Sequence, residues 1–322
     1  MKAAILTSPD ATPAYGDFPE PQVAAGRELA TMVAAGIHPL VRLLASGKHY
    51  SSQGAWPMIP GVDAVARTAD GSLIYTGFIE PPYGTFAERM AAPSAMRFAV
   101  PPAADPVQIA AGMNPGMSSW LPLIARKREV EKLGTVLILG VTGMAGHLAI
   151  QNAFALGAER VIGAGRSPEG LQQAAARHAQ TVALTGERHA DGLAIAQALG
   201  KNAPSLVLDF VWGEPAEAAF DALGQAEFHA EDQADIAHVQ IGSMAGAEAS
   251  VPASLLRSRR IRISGSGLGS GSLAEVMAQV PVYMKLIADA RVEVPTRVFP
   301  LSRIAEAWTT KESGRRTVVV AG

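Results

Sequence analysis

Gly140-Val141-Thr142-Gly143-Met144-Ala145-Gly146 follows one apolar run and opens another. Glycines so spaced permit a tight turn and a close backbone approach to a pyrophosphate. A helix starting there offers free N–H groups and the positive end of its dipole. The spacing, Gly-x-x-Gly-x-x-Gly, is one step from the usual dinucleotide fingerprint. An ordinary glycine-rich turn of an α/β protein reads the same way. About 20 residues on, where an acid would bind a ribose 2′-hydroxyl, the chain has Arg166 and Ser167. An acid would repel a 2′-phosphate, whereas a guanidinium and a hydroxyl would bind one. The chemistry expected is NADP(H) binding, with Thr142, Gly143, Met144 and Gly146 at the pyrophosphate turn and Arg166 and Ser167 at the 2′-phosphate. A surface arginine at a strand end, without a ligand, is the alternative.

These residues need alternating strands and helices to hold them. Thr135–Leu139 is a β-branched apolar run suited to a strand buried on both faces. Ala145–Leu156 reads as a helix stopped by Gly157, Arg160–Ala164 as a second strand, and Pro168–His178 as a helix with proline in its first turn. Further strands are expected at Thr181–Leu184, Ser205–Val211, His238–Ile241 and Arg260–Ser264. Further helices are expected at Ala190–Leu199 and at Glu214–Leu223, the latter ended by Gly224. Six strands with intervening helices predict an α/β fold with a doubly wound parallel sheet. The first ~115 residues are rich in proline, with short strand-like pieces such as Ala3–Leu6 and Ala64–Ala66, and predict a mostly β domain. After a helix at Leu273–Ala290, the tail repeats that character, with strands at Thr296–Phe299 and Thr317–Val320 around a helix at Leu301–Thr309. One domain over 120–268 is therefore expected to sit within a second made of 1–119 and 269–322.

The chain has 322 residues, no cysteine, 27 Lys+Arg and 29 Asp+Glu. Without cysteine there are no disulfides, thiol nucleophiles, Fe–S clusters or thiolate zinc sites. Near-neutral charge argues against nucleic-acid binding, and the three arginines of Leu255–Arg260 read as an exposed loop. Gly134–Ala158 carries no charged residue, but glycines interrupt it, so a buried strand–turn–helix is expected rather than a membrane span. The N-terminus has no signal-peptide pattern, and a cytoplasmic protein is the default. His229, Glu231, Asp232, Asp235 and His238 lack ligand spacing, and Glu227–Asp235 reads as an acidic solvated loop between strands, without metal.

With these features, the sequence resembles the zinc-independent, quinone-oxidoreductase-like branch of the medium-chain dehydrogenase/reductase superfamily. The residues carrying the resemblance are Ala34–Pro39 through Ser46–Tyr50, the turn Ile59–Asp63, Gly84–Glu88, Gly116–Trp120, the glycine turn, Asp209 and the closing Gly314–Val320. The resemblance implies a GroES-like catalytic domain around a Rossmann domain, with the active site in the cleft between them. It implies hydride transfer from NADPH to a quinone or an α,β-unsaturated carbonyl compound. It places Ser118 near the nicotinamide or its phosphates, and Gly242, Ser243, Gly267 and Leu268 around the nicotinamide pocket. It also implies a homodimer paired through the edge strand of the Rossmann sheet, covering an exposed edge.

The substrate side departs from the family. His38-Pro39 stands where Asn-Pro is usual, Val41 where an acid is frequent, and His49 where tyrosine is frequent, with Tyr50 next. His38, His49 and Tyr50 are the titratable groups of that region able to donate a proton. Substrate positioning and plain packing are the alternatives. Asp63 is expected to bond backbone N–H groups of its turn, with catalysis as the alternative, and His147 to serve packing or capping rather than act as a base. The metal-free, NADPH-dependent reductase leads. A reductase of another activated alkene, such as an enoyl thioester or a halogenated acid, and an NADPH-binding sensor or structural protein stay open.

Overall fold

The computed structural model describes all residues except 53, 226, 229–234, 268 and 313. The chain divides into two compact units, Met1–Asn114 with Val280–Gly322, and Pro115–Gln279.

The first unit begins with β1 (Lys2–Ile5) and β2 (Ala14–Asp17), an antiparallel pair. Next come β3 (Arg27–Gly36), the short α1 (Pro39–Ala45), β4 (Asp63–Thr68), β5 (Leu73–Gly77), β6 (Arg89–Pro93) and β7 (Phe98–Ala99). The 24-residue α2 (Pro106–Glu129) then carries the chain into the second unit, with Pro115 and Pro122 inside it.

The central unit continues with β8 (Thr135–Leu139), α3 (Met144–Ala155), β9 (Arg160–Gly165), α4 (Pro168–Ala175), β10 (Gln180–Ala183) and α5 (Arg188–Leu199). It ends with β11 (Pro204–Asp209), α6 (Gly213–Gln225), β12 (Ile236–Gln240), the short α7 (Ala253–Ser258) and β13 (Ile261–Gly265). Its six strands run parallel in the order β10-β9-β8-β11-β12-β13. This is the expected doubly wound sheet, with β8 at the point where strand order reverses. Every residue of β8 is buried, as an apolar strand covered on both faces requires. Leu137, Leu139, Ile162, Val207, Phe220 and Leu223 belong to one core cluster.

The chain returns to the first unit through α8 (Leu273–Ala288), followed by β14 (Thr296–Pro300), a 3₁₀ turn, α9 (Ile304–Thr309) and β15 (Arg316–Val320). A mixed sheet runs β14-β15-β3-β4-β5-β7, with β6 also on β3. Strand β15 pairs with β3 across nearly the whole sequence, Val319 opposite Ala35. Met32, Ile59, Phe86, Met90, Phe299 and Ile304 lie in this unit's core.

Several boundaries differ from expectation, and three of them bear on start and stop signals. Gly224 lies inside α6, which runs on to Gln225. The helix expected over Pro168–His178 stops at Ala175, and His178 takes a left-handed φ of 66°. The helix expected over Leu301–Thr309 opens with the 3₁₀ turn Leu301–Arg303.

Candidate functional site

In the central unit, the glycine turn joins β8 to α3 at the carboxyl end of the sheet. Gly143 is the N-cap of α3, exposed, with no side-chain capping bond, so the first-turn N–H groups face no protein cap. A β-carbon on Gly146 would lie 2.5 Å from the Val141 carbonyl oxygen and 2.6 Å from Val141 Cα. Helix and turn therefore approach as closely as glycine allows. The Thr142 side chain packs on the next strand–helix connection, and β-carbons on Gly165 or Gly170 would each come within 2.5 Å of it. Met144 is half-buried beside the cap.

Arg166 directly follows β9 and is exposed. Among the described residues, no hydrogen bond or ion pair engages its guanidinium. Ser167 is the N-cap of α4, its hydroxyl oxygen accepting from the Gly170 N–H at 3.2 Å, which leaves the hydroxyl proton available. His147 is buried in α3 with Nε2 3.2 Å from the Gly170 carbonyl. Burial lowers its pKa; the Gly170 bond opposes this and Arg177 adds to it. A neutral ring thus donates to the carbonyl, tying α3 to the α4 connection, a packing role as expected. Ser118 hydrogen-bonds the Pro115 carbonyl at 2.5 Å within α2. Its neighbour Ser119 is fully buried and accepts from Asn152 of α3 at 2.9 Å. On the other side of the sheet's midpoint, Gly242 packs on Phe210, where a β-carbon would meet the carbonyl oxygen at 2.5 Å. Ser243 and Gly267 are exposed, and Leu268 lies outside the described residues.

In the other unit, His38 is 2% and Asp63 4% exposed. His38 Nε2 lies 2.8 Å from Asp63 Oδ1, and the Tyr75 hydroxyl donates to Asp63 Oδ2 at 2.8 Å. The carboxylate has no proton to give, so Nε2 carries the ring proton. Nδ1 is buried without a partner. This corrects the expectation for Asp63: its carboxylate bonds two side chains rather than turn N–H groups. Burial, followed by the Asp63 charge and hydrogen bond, pushes the Tyr75 hydroxyl well above its ordinary range. Buried Arg316 donates to the Ile37 carbonyl at 2.9 Å. Desolvation brings it down to about 10, opposed by Asp63 and helped by Arg42. His49 and Tyr50 lie outside this cluster, stacked on each other with centroids 4.1 Å apart. Tyr50 is exposed. His49 Nδ1 accepts the Ser51 N–H at 3.2 Å and sits 2.7 Å from Ser51 Oγ, so its Nε2 holds the proton.

No protein-family model matches the chain. Over 364 aligned positions it is 28% identical to a probable NADPH-dependent quinone reductase of Emericella nidulans, covering 99% of this chain and 100% of that one. A mycobacterial quinone oxidoreductase superposes with a TM-score of 0.82 at 18% identity, over 99% of both chains. The quinone oxidoreductase of Thermus thermophilus, solved also with NADPH, superposes at 0.73 with 23% identity, over 99% of this chain and 100% of that one. The chain has the two-domain fold of the medium-chain dehydrogenase/reductases. The resemblance drawn from sequence motifs is borne out by these relatives. Within this dehydrogenase/reductase fold, the glycine turn and the Arg166 segment come together at one end of one sheet.

The residues expected as an acidic loop are largely outside the described set. Of them, Asp235 pairs with Arg126 at 3.1 Å; His238, beyond the loop, lies in β12 against Asp209. Among the described residues, no cluster of three or more His, Asp or Glu is arranged to hold a metal ion. No helix among them is long and apolar enough to cross a membrane. Sequence reasoning missed the His38 and Tyr75 partners of Asp63 and the His238–Asp209 pair. All join residues distant along the chain, and no local pattern announces them.

Proposed function

We propose that this chain is an NADPH-dependent oxidoreductase acting on a quinone or an α,β-unsaturated carbonyl compound. The observation that carries the reading is Arg166, exposed and unengaged, one residue past β9 and beside a serine that caps the next helix. The residues present fit the cofactor. The uncapped α3 N-terminus suits a pyrophosphate, and the contact at Gly146 leaves no room there for a side chain. Thr142, Gly143, Met144 and Gly146 hold the pyrophosphate, and Arg166 with Ser167 holds the 2′-phosphate. Ser118, Gly242, Ser243 and Gly267 border the nicotinamide half; Leu268, expected with them, lies outside the described residues.

When bound, NADPH supplies a hydride from its nicotinamide C4 to a quinone or to the β-carbon of an enone. The protein binds and orients the reactants, and it presents donors to the acceptor oxygen as that oxygen gains negative charge. Of the substrate-side residues His38, His49 and Tyr50, the donors proposed are His49 and Tyr50. His38 is tied to Asp63, while His49 has Nε2–H directed away from its Ser51 contacts. The proton that completes the reduction comes from His49 or from water. No step is assigned to a metal, in keeping with a chain that lacks cysteine.

The same reading includes a homodimer. Strand β13 is the sheet edge, with Ile261 and Ile263 half-buried, and among the described residues it pairs with β12 alone. A second copy paired there would cover both. A cytoplasmic location belongs to the proposal.

The experiment is a panel of quinones, enones, enoyl thioesters and halogenated acrylic acids, with NADPH oxidation followed by loss of absorbance. Turnover on at least one class with NADPH preferred over NADH is expected. Tight NADPH binding without turnover on any acceptor would instead make this a cofactor-binding protein. Turnover confined to enoyl thioesters or halogenated acids would move the substrate to another activated alkene.

A further inference from the structure

Asp209 ends β11, and His238 lies on the neighbouring β12; both are fully buried. Asp209 Oδ1 accepts the Val211 N–H at 2.9 Å and the Trp212 N–H at 2.8 Å. Its Oδ2 faces His238 Nε2 at 3.1 Å, so that nitrogen carries the ring proton. The Asp209 carbonyl takes the Ile241 N–H at 2.7 Å and the Gly242 N–H at 3.1 Å. One residue thereby fixes both the 210–213 loop and the start of the segment after β12.

That loop is a spacer. On one side, a β-carbon on Gly140 would lie 2.7 Å from Val211 Cγ1. On the other, Phe210 fills the space over Gly242, and the Val211 carbonyl accepts the Ala245 N–H at 2.8 Å. Trp212 is held at a left-handed φ of 54°, a conformation that an L-residue keeps only when its surroundings impose it. The bond from Asp209 to the Trp212 N–H is part of that imposition. The His238 ring lies 4.9 Å from Phe220 and 6.1 Å from Trp212, centroid to centroid.

We infer that Asp209 and His238 are positioning residues for the cofactor: His238 orients the Asp209 carboxylate, and the loop it holds sets the distance between the glycine turn and the 242–246 segment. This rests on the NADPH reading above. A dinucleotide spans both segments, whereas adenosine 2′,5′-bisphosphate occupies only the phosphate end beside Arg166.

The test compares wild type, His238→Phe and His238→Gln. Phenylalanine keeps the ring packing and removes the donor; glutamine returns an N–H near the Nε2 position. NADPH binding is read by fluorescence, bisphosphate binding by calorimetry, and folding by melting temperature. The expected result is about tenfold weaker NADPH binding in H238F, the scale of leaving a buried acceptor unpaired. Bisphosphate affinity should be unchanged, and H238Q should recover most of the loss. Unchanged NADPH affinity in folded H238F overturns the inference, as does equal weakening of both ligands. Should H238F fail to fold, His238→Met carries the same comparison. A wild type that binds no NADPH overturns the functional reading, and the inference with it.

Discussion

Arg166→Ala is the perturbation that bears most directly on cofactor choice. The guanidinium follows the last residue of β9, is exposed, and gives no hydrogen bond to the described residues. Its removal therefore breaks nothing in the folded chain, and stability should stay within about 0.5 kcal/mol of wild type. A charge-assisted hydrogen bond to a phosphate contributes about 1.5–3 kcal/mol. Exposure puts Arg166 at the lower end of that range, because water and salt screen it. At about 1.4 kcal/mol per decade, the loss is about 10- to 30-fold in NADPH affinity. Ser167 contributes less, since its oxygen already accepts from Gly170. NADH lacks the 2′-phosphate and should bind wild type and variant alike. The assay is fluorescence titration of both nucleotides at low and high salt. The NADPH preference should shrink with salt in wild type and nearly vanish in the variant. Tighter NADH binding by wild type, or an unchanged NADPH-to-NADH ratio in the variant, would refute the role of this residue.

Gly146→Ala puts a methyl 2.5 Å from the Val141 carbonyl oxygen, so turn and helix must separate. Overpacking of this kind costs about 1–3 kcal/mol, and both melting temperature and NADPH affinity should fall. Tyr75→Phe removes one donor from buried Asp63 and should cost about 1–3 kcal/mol in urea unfolding, with the transition still cooperative. His49→Ala should lower turnover on the acceptor about tenfold or more with NADPH affinity unchanged, and His49→Gln should restore part of it; equal rates in all three would remove His49 from the reaction. For His147 the sign follows from its lowered pKa. The unfolded chain takes up the proton first as pH falls, so the contribution is complete above about 6.5 and lost on acidification below it. His147→Gln keeps a donor for Gly170 and should lose less melting temperature than wild type between pH 7.5 and 5.5. His49, also lowered by burial, acts in the same sense in both proteins and cancels in that comparison.

The central sheet was legible because strands covered on both faces must be apolar along their buried length, and Val136–Leu139 and Val161–Gly165 satisfy that without help from distant residues. Local stop signals served less well. Gly224 lies within α6, which packs on α5 and stays helical past it. The other unit was harder to read for a topological reason. Strand β3 takes partners at Ala66, Ala91 and Val319, so its register is fixed by contacts that no window of sequence contains. Helix α2 runs through Pro115 and Pro122 against its own propensities. The Ser119 hydroxyl and the Asn152 amide both bond the Gly116 carbonyl within it. At the candidate site, the glycine turn and Arg166 are local signals and were readable. The partners of Asp63 lie 25 and 12 residues away, and only the folded chain joins them.

Each unit holds a buried carboxylate that accepts a hydrogen bond from Nε2–H of a buried histidine, Asp63 from His38 and Asp209 from His238. Both rings leave Nδ1 buried and unpartnered. Breaking such a pair strands a buried acceptor, so the donors are held in place by the penalty of losing them. A histidine so committed positions its neighbours. The two pairs therefore belong to the scaffold: one holds the segment that opens α1, the other the loop that opens α6. His49 differs in each respect. Its Nδ1 is occupied by a backbone N–H, its Nε2 carries the proton, and its ring stacks on an exposed tyrosine rather than on a core. Of the histidines proposed on the substrate side, the one free to move a proton is thus the one outside the buried network.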